Sequence, residues 1–390
     1  MGALEYKLLI LIISFFEASH MINFEKPLEN ILIIPHSHMD PNWLNDFENN
    51  YNMYAQNIFT NIVDSLRNIP NMTFVVCEIC LFKKFYEKSS NNIRGQIKRL
   101  IINKQIEFVN GGWVANDEAT PYYSDIILLM RIGHEFLLKE FNVIPKIAWN
   151  VDSFGHNNAN HYLLSLMGFD VLFYTRDSEK INKTINRELE SVFFPFYRHF
   201  QDKYAILSSS YYYHYAFRSG ICFESSTNCQ DEQINSENSN EVIRKVLNNS
   251  QNAIQYYKSS SFLLLLGDDY AFKKEEKFTN LINFMELFTN YKTQNNLTVN
   301  ISFGIPSSYF DNLYLKKFVF ASKTKDSIPL YQYGQYWSGY YSTWPSLKYL
   351  IRYCSKKYRS LSIIFSMISI NQNYYKNNFF EIQRQIRSLE

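Results

Sequence analysis

The sequence predicts an α/β fold in which a seven-stranded parallel β/α barrel is followed by the start of a helical bundle. Short apolar runs recur along the chain, polar residues follow each run, and segments with helical spacing of apolar residues separate the runs. Alternating strands and helices build parallel sheets. A chain of 390 residues is long enough to bury the core of one such barrel.

The seven predicted strands are apolar segments of five to nine residues. The helices between them show apolar residues at i and i+4, as in the segment 54–66. In a β/α barrel the carboxyl ends of all strands meet at one face, and the catalytic residues collect there. The predicted strands cover residues 31–35, 74–78, 106–113, 146–152, 170–176, 204–210 and 261–269.

Differences in composition divide the chain into three regions. Residues 1–25 contain an apolar run of signal-peptide length, and we expect a signal peptide or membrane anchor that leads the chain into the secretory pathway or out of the cell. Residues 28–330 carry the predicted barrel, with a Ser-, Asn- and Gln-rich surface insertion near 215–260. The strand pattern then ends, and residues 331–390 are predicted to be helical, as a truncated bundle.

The composition excludes two classes of protein. Apolar residues make up 46% of the chain and charged residues 19%, which excludes a disordered protein. Lys and Arg number 39 against 37 Asp and Glu, and no basic stripe is long enough to neutralise a phosphate backbone. Nucleic acid is therefore not an expected partner.

A His-x-His-x-Asp string directly follows the first predicted strand. In an extended segment His38 and Asp40 leave the chain on one face, and His36 lies on the same face. An imidazole nitrogen and a carboxylate oxygen can bind one zinc ion together. The string therefore indicates a metal site at the end of the strand, and the alternative is a set of polar residues that caps it.

Carboxylates follow two more of the predicted strands. Asp152 ends one of them, as a site residue or as the N-cap of the next helix, and Asp268 and Asp269 follow another. Adjacent buried carboxylates are not both easily ionised, so one is expected to have a raised pKa and to donate a proton. Two carboxylates across a cleft are what cleavage of a glycosidic bond requires, and Trp43 and Trp337 offer stacking surfaces for sugar rings.

Five ordered segments of the chain resemble glycoside hydrolase family 38, the class II α-mannosidases. The segments are PHSHMDPNWL, FVNGGWVANDEAT, WNVDSFGHN, LGDDYAF and YWSGYYSTWP. The resemblance runs from about residue 30 to about residue 350. It implies the barrel described above, a zinc-dependent retaining exo-mannosidase activity, and a mannose-containing oligosaccharide or glycoprotein glycan as the substrate.

The resemblance also implies roles for individual residues. His38, Asp40 and Asp152 look like zinc ligands, Asp152 also looks like the nucleophile, and Asp269 looks like the acid/base. Zinc would hold two adjacent mannose hydroxyls while Asp152 attacks the anomeric carbon. The candidate substrate-binding residues are Trp43, Phe154, Arg176, Tyr215, Trp337 and Asp268.

The sequence departs from the family pattern near its C-terminal part. The family's last zinc ligand is a histidine in a His-His-Asp stretch downstream of the YWSGYYSTWP match, whereas no histidine follows His214, and Trp344 stands where an arginine is usual. We expect a C-terminal segment or a partner chain to complete the site, unless His36 or His156 does so. Two alternatives stay open: a sugar-binding pseudoenzyme with an incomplete zinc site, and another zinc carbohydrate hydrolase such as a deacetylase.

Overall fold

The computed structural model describes residues 26–193, 205–216 and 233–370. Each of the seven predicted strand segments contains a strand, and five further strands, β6 and β9 to β12, were not predicted. The strands are β1 (Asn30–Pro35), β2 (Phe74–Val76), β3 (Ile106–Phe108), β4 (Ile147–Asn150), β5 (Val171–Tyr174), β6 (Glu190–Phe193), β7 (Ile206–Ser210), β8 (Ser261–Leu266), β9 (Asn300–Phe303), β10 (Ala321–Lys323), β11 (Tyr331–Gln332) and β12 (Gln335–Tyr336).

Helices follow most of these strands, as an alternating α/β pattern requires. The chain continues from α1 into α2 through a π-helical turn, Tyr51–Ala55, and a 3₁₀ turn, Gly339–Tyr341, precedes α11. The helices are α1 (Phe47–Asn50), α2 (Gln56–Asn68), α3 (Ile79–Lys88), α4 (Asn91–Ile102), α5 (Tyr123–Phe141), α6 (Asn158–Leu166), α7 (Lys180–Ile185), α8 (Ser239–Ile254), α9 (Glu276–Gln294), α10 (Pro306–Leu315) and α11 (Pro345–Ile370).

The described strands form separate, mixed sheets, and the predicted all-parallel barrel is not confirmed as one continuous ladder. One sheet has the order β8-β1-β9 and is parallel throughout. A second has the order β10-β6-β7-β5-β4, and β6 runs antiparallel to β7 within it. β2 and β3 form a parallel pair. β6 and β7 follow one another along the chain with no described helix between them, and an antiparallel pair needs no crossover helix, whereas α6 connects the parallel strands β4 and β5.

Short contacts connect these sheets at the ends of their strands. A parallel bridge joins His36, just after β1, to Val75 in β2. The amide of Asn110, just after β3, donates to the carbonyl oxygen of Ile147 in β4 at 2.7 Å. These contacts link β1 to β2 and β3 to β4, although the four strands belong to three sheets.

Residues 239–254 form α8, although the sequence placed them in the polar surface insertion near 215–260. The helix buries Val242, Ile243 and Val246 and packs against β8 and α9. These apolar residues recur at helical spacing within an asparagine-rich segment, so composition concealed the amphipathic pattern. Residues 217–232 of the predicted insertion lie outside the described residues.

The C-terminal part of the described chain contains the β11–β12 hairpin and the 26-residue helix α11. Within the residues that the structure describes, no helix combines the length and apolar character needed to cross a membrane. The predicted signal peptide or anchor, residues 1–25, lies outside them.

A buried histidine in α6 is expected to make folding stability depend on pH. His161 is 2% exposed, its Nδ1–H donates to the Asn157 carbonyl, and burial lowers its pKa to about 4. In the unfolded chain the pKa of this histidine is about 6.5, so below pH 6.5 protonation favours the unfolded state. The stability that the neutral, buried His161 allows is therefore fully present above pH 6.5 and is lost as the pH falls towards 4. When the pH falls from 7 to 5, we expect the titration of His161 to lower the free energy of unfolding by about 2 kcal/mol.

Urea unfolding at pH 7 and pH 5 measures this loss in the unmodified protein and in His161→Gln. All other titrating groups are common to both proteins, so the difference between the two losses reports His161. A variant that loses as much stability as the unmodified protein would contradict the prediction.

Candidate active site

The segments that follow β1 and β8 run side by side. The amide of His38 donates to the carbonyl oxygen of Asp268 at 3.1 Å, and the amide of Tyr270 donates to the carbonyl oxygen of His38 at 2.8 Å. A parallel bridge pairs His38 with Asp269. The predicted zinc ligand and the predicted acid therefore lie on adjacent segments beyond the strand ends, where β/α barrels place their chemistry.

Gly267, directly after β8, permits this close approach. A Cβ atom there would lie 2.1 Å from the carbonyl oxygen of His36 and 2.7 Å from its ring. Both distances are far shorter than a van der Waals contact. Glycine therefore allows the segments after β1 and β8 to pack in this register.

Three side chains converge on one point at this edge of the fold. His38 Nε2 lies 3.2 Å from Asp40 Oδ1 and 3.8 Å from Asp152 Oδ2. One ligand atom from each of the three residues lies within 4.8 Å of the others. Among the described residues, the buried Nε2 of His38 makes no well-directed hydrogen bond. One nitrogen and two carboxylate oxygens form a donor set that suits zinc, so these residues fit such an ion.

The electrostatics of this cluster favour a positive charge. Burial disfavours the imidazolium form of His38, but the carboxylates of Asp40, Glu78 and Asp152 outweigh burial and raise the pKa of His38 to about 10. His38 in turn lowers the pKa of Asp40 against the effect of burial. The same carboxylates would stabilise the charge of a bound cation.

Glu78 is a part of this site that the sequence analysis did not identify. Its carboxylate Oε1 lies 3.4 Å from His38 Nδ1, its side chain is 1% exposed, and burial raises its pKa to about 7. A carboxylate on the far nitrogen of a ligand histidine fixes the orientation of the ring. Glu78 is the last residue of the second predicted strand, so its position at a strand end could have singled it out.

Two side chains hold the predicted nucleophile and the predicted acid. Arg176 Nε donates to Asp152 Oδ1 at 2.6 Å, and its Nη2 also contacts that oxygen. The hydroxyl of Tyr215 donates to Asp269 Oδ1 at 2.9 Å. Burial raises the pKa of Asp269, and this effect outweighs the nearby His38 and the hydrogen bond from Tyr215. Asp269 therefore retains a proton to a higher pH than an ordinary aspartate does.

A cleft of about 200 Å³ opens beside these groups. The three candidate metal ligands line it, together with Asn116, Phe154 and Tyr340. Drug-sized ligands occupy pockets of roughly 300–1,000 Å³. The smaller volume suits a ligand of the size of a single sugar ring.

Two of the predicted substrate-binding aromatics pack on Arg176. Its guanidinium carbon lies 5.1 Å from the ring centroid of Phe154 and 5.3 Å from that of Trp337, whose rings meet edge to face. Arg176 Nη1 also donates to Gln332 Oε1 of the β11–β12 hairpin at 3.3 Å. The hairpin therefore reaches the same arginine as Asp152.

The other predicted substrate-binding residues lie outside the lining of the cleft. Trp43 is 45% exposed, and Tyr215 is 2% exposed beneath Asp269. Asp268 Oδ1 accepts a hydrogen bond from the amide of Asp269 at 2.8 Å, while its buried Oδ2 has no hydrogen-bond partner among the described residues. Their roles in substrate binding stay predictions.

Neither additional histidine reaches the metal cluster. Nε2 of His36 lies 3.1 Å from the carbonyl oxygen of Tyr215, and its ring packs on Trp149. Both ring nitrogens of His156 are bound to Glu118 and Arg176. Among the described residues, the cluster therefore has the three candidate ligands named above.

The chain matches the model of the glycosyl hydrolases family 38 N-terminal domain over residues 29–334. It belongs to glycoside hydrolase family 38. A probable α-mannosidase of Arabidopsis thaliana is 30% identical over 367 residues, which cover 89% of this chain and 34% of that protein. The lysosomal α-mannosidase of Bos taurus is 28% identical over 357 residues, covering 86% of this chain and 35% of that protein.

The family 38 chain thus spans about a third of the length of these curated relatives. An α-mannosidase from Enterococcus faecalis has a similar solved structure, with a TM-score of 0.60 at 13% identity. The match covers 77% of this chain and 31% of that chain. It supports the mixed α/β fold.

Proposed function

We propose that the chain carries the catalytic centre of a zinc-dependent retaining α-mannosidase that removes terminal α-mannose from oligomannose or N-glycan-type sugars. The observation that carries the proposal is the cluster of His38, Asp40 and Asp152 at one cleft, with Asp269 on the segment bridged to His38. Membership of family 38 supports mannose as the sugar. The α-mannosidase names of the relatives support the same substrate class.

The fold and the location are part of the same proposal. We place β1 to β5, β7 and β8 as the seven strands of the barrel, since the contacts between β1 and β2 and between β3 and β4 join neighbouring sheets. The apolar run within residues 1–25 supports the secretory pathway or the cell exterior as the location. One relative is named as lysosomal, which agrees with that route.

His38, Asp40 and Asp152 would hold the zinc ion. When bound, zinc supplies a Lewis acid that attracts oxygen atoms of the sugar into the cleft. His38 is oriented for this role by Glu78 on its other nitrogen. The carboxylate of Asp40 is 41% exposed and that of Asp152 is 21% exposed, so sugar hydroxyls have access to the ligand atoms.

The first step replaces the glycosidic bond by a bond to the enzyme. A carboxylate oxygen of Asp152 forms a bond to the anomeric carbon, and the bond from that carbon to the leaving oxygen breaks. Asp269 transfers its proton to the leaving oxygen. Arg176 holds Asp152 Oδ1 during this step, and Tyr215 occupies Asp269 Oδ1, which leaves Oδ2 to carry the proton.

The second step releases mannose. The Asp269 carboxylate takes a proton from water, the water oxygen forms a bond to the anomeric carbon, and the bond to Asp152 breaks. Two displacements on the same carbon return the original configuration. Mannose is therefore released with retention.

We expect Asp40→Asn to weaken zinc binding by about 10 to 100-fold or more. Removing a residue that only hydrogen-bonds to a metal ligand already lowers metal affinity by this factor. Asp64→Asn is the matched control, since Asp64 is a half-exposed surface residue that pairs with Arg67. Calorimetric titration of the metal-free proteins with zinc chloride measures both affinities. Equal affinities for the two variants would remove Asp40 from the ligand set.

The activity is tested on the 390-residue chain with zinc and a panel of 4-nitrophenyl glycosides. We expect hydrolysis of the α-mannoside, with the β-mannoside, α-glucoside and α-galactoside inert. Proton NMR of the first product formed should show α-mannose. Release of β-mannose, or binding of the α-mannoside without turnover in the presence of zinc, would overturn the proposal, and the second result would indicate a sugar-binding protein.

A further inference from the structure

Glu118 is a buried carboxylate that the reaction described above does not use. It lies between β3 and α5, and its side chain is fully buried. Its oxygens accept hydrogen bonds from Asn150 Nδ2 at 2.7 Å, His156 Nδ1 at 2.7 Å and the amide of Asn157 at 2.9 Å. These distances are typical of charge-assisted hydrogen bonds.

The three donors flank the predicted nucleophile on both sides. Asn150 ends β4, and His156 and Asn157 precede α6, so residues 151–155 form a short loop between two anchors on one carboxylate. This loop carries both Asp152 and Phe154 into the cleft. Its position relative to the strands therefore depends on Glu118.

A second connection runs through the ring of His156. Nδ1 faces the Glu118 carboxylate, and Nε2 faces the carbonyl oxygen of Arg176 at 2.9 Å. The ring therefore links the buried Glu118 carboxylate to the backbone of Arg176. Burial alone would raise the pKa of Glu118, but the contact with His156 and the other hydrogen bonds outweigh burial and lower it, so Glu118 is a carboxylate. Arg176 in turn donates to Asp152 Oδ1 at 2.6 Å.

We infer that Glu118 is the positioning residue of the nucleophile. It holds the loop of Asp152 by its two anchors, and it holds the backbone of Arg176 through His156, so both the carboxylate and its guanidinium partner depend on one buried group. The inference rests on the proposed function. It assigns Glu118 no contact with the substrate.

The principal test is Glu118→Gln, which keeps the size of the side chain. One terminal atom of glutamine is an NH₂ group, and either orientation of the amide places that group against at least one N–H donor. We expect kcat for 4-nitrophenyl α-mannoside to fall about 10 to 100-fold with KM little changed, and zinc affinity to fall over the same range. A role in fold stability alone would leave both quantities unchanged in the folded variant.

Glu190→Gln is the matched control. Glu190 is also a buried carboxylate, and it accepts from the Tyr309 hydroxyl at 2.9 Å and from the amide of Lys258 at 2.8 Å. None of these three residues lines the cleft. We expect this variant to lose unfolding free energy while its kcat and zinc affinity stay at the level of the unmodified protein.

His156→Asn keeps the test decisive if Glu118→Gln does not fold. The asparagine amide can replace Nδ1 towards Glu118 but is too short to reach the carbonyl oxygen of Arg176. We expect an intermediate loss of kcat and of zinc affinity. The inference is overturned if Glu118→Gln, or His156→Asn where only that variant folds, keeps both values, or if Glu190→Gln loses as much.

The outcomes separate this inference from the proposed function. If the unmodified protein does not hydrolyse any α-mannoside, the proposed function fails. Zinc affinity alone then decides the inference, because Glu118→Gln should still bind zinc more weakly than Glu190→Gln. Equal zinc affinity in these two variants would overturn it.

Discussion

Asp152→Asn is expected to lower kcat for α-mannoside hydrolysis by roughly 10⁴ to 10⁶-fold, the scale on which loss of a main catalytic group acts in hydrolases. An amide is a poor nucleophile, and it also replaces one carboxylate oxygen that would bind zinc. The side chain is half-buried and paired with Arg176, and asparagine keeps its shape. The fold should therefore survive, as far-ultraviolet circular dichroism and thermal unfolding can confirm.

The assay compares this variant with Asp170→Asn under saturating zinc. Asp170 is exposed just before β5, and its carbonyl rather than its carboxylate binds Tyr314. This control should retain full activity. Hydrolysis by Asp152→Asn at the rate of the control would rule out Asp152 as the nucleophile.

Asp269→Asn is expected to lower kcat by about 10² to 10⁴-fold for substrates whose leaving group needs a proton. The loss should be much smaller for 2,4-dinitrophenyl α-mannoside, because its phenolate leaves without protonation. Measuring kcat/KM across aryl mannosides with leaving groups of different pKa tests this dependence. A loss that is the same for every leaving group would contradict the role of Asp269 as the acid.

The neighbouring carboxyl provides the comparison for this experiment. Asp268 Oδ1 binds the amide of Asp269, so Asp268→Asn changes an adjacent residue of the same type. Whatever activity Asp268→Asn loses should not depend on the leaving group. The reverse pattern would assign the acid to Asp268.

The strands that carry the candidate site were predictable because they are buried on both faces. β1 and β8 read as continuous apolar runs, as expected for paired strands with apolar packing above and below. β9 was missed because its residues are partly exposed, and β6 was missed because it begins with Glu190 and Ser191 and so lacks an apolar run. The order of the strands depends on contacts between distant segments, so the mixed sheets could not be predicted from local pattern.

The same distinction applies to the site. His38 and Asp40 are neighbours in the sequence, so their shared face follows from the geometry of an extended chain. Glu118 lies 38 residues from its partner His156, and an acidic residue next to Asp117 in a polar loop carries no sign of such a contact. Sequence reasoning therefore found the groups at strand ends and missed the buried groups that hold them.

Gly267 shows that a position without a side chain can be as restricted as a reacting group. Alanine differs from glycine by one methyl group, yet that group would overlap the backbone of His36 and force the segments after β1 and β8 apart. The separation of His38 from Asp269 would then change without any change in either residue. A saturation-mutagenesis map of this chain should accordingly show Gly267 to be as intolerant of replacement as Asp152 and Asp269. Activity lost at Gly267 would result from a changed distance between His38 and Asp269, with every reacting group still present.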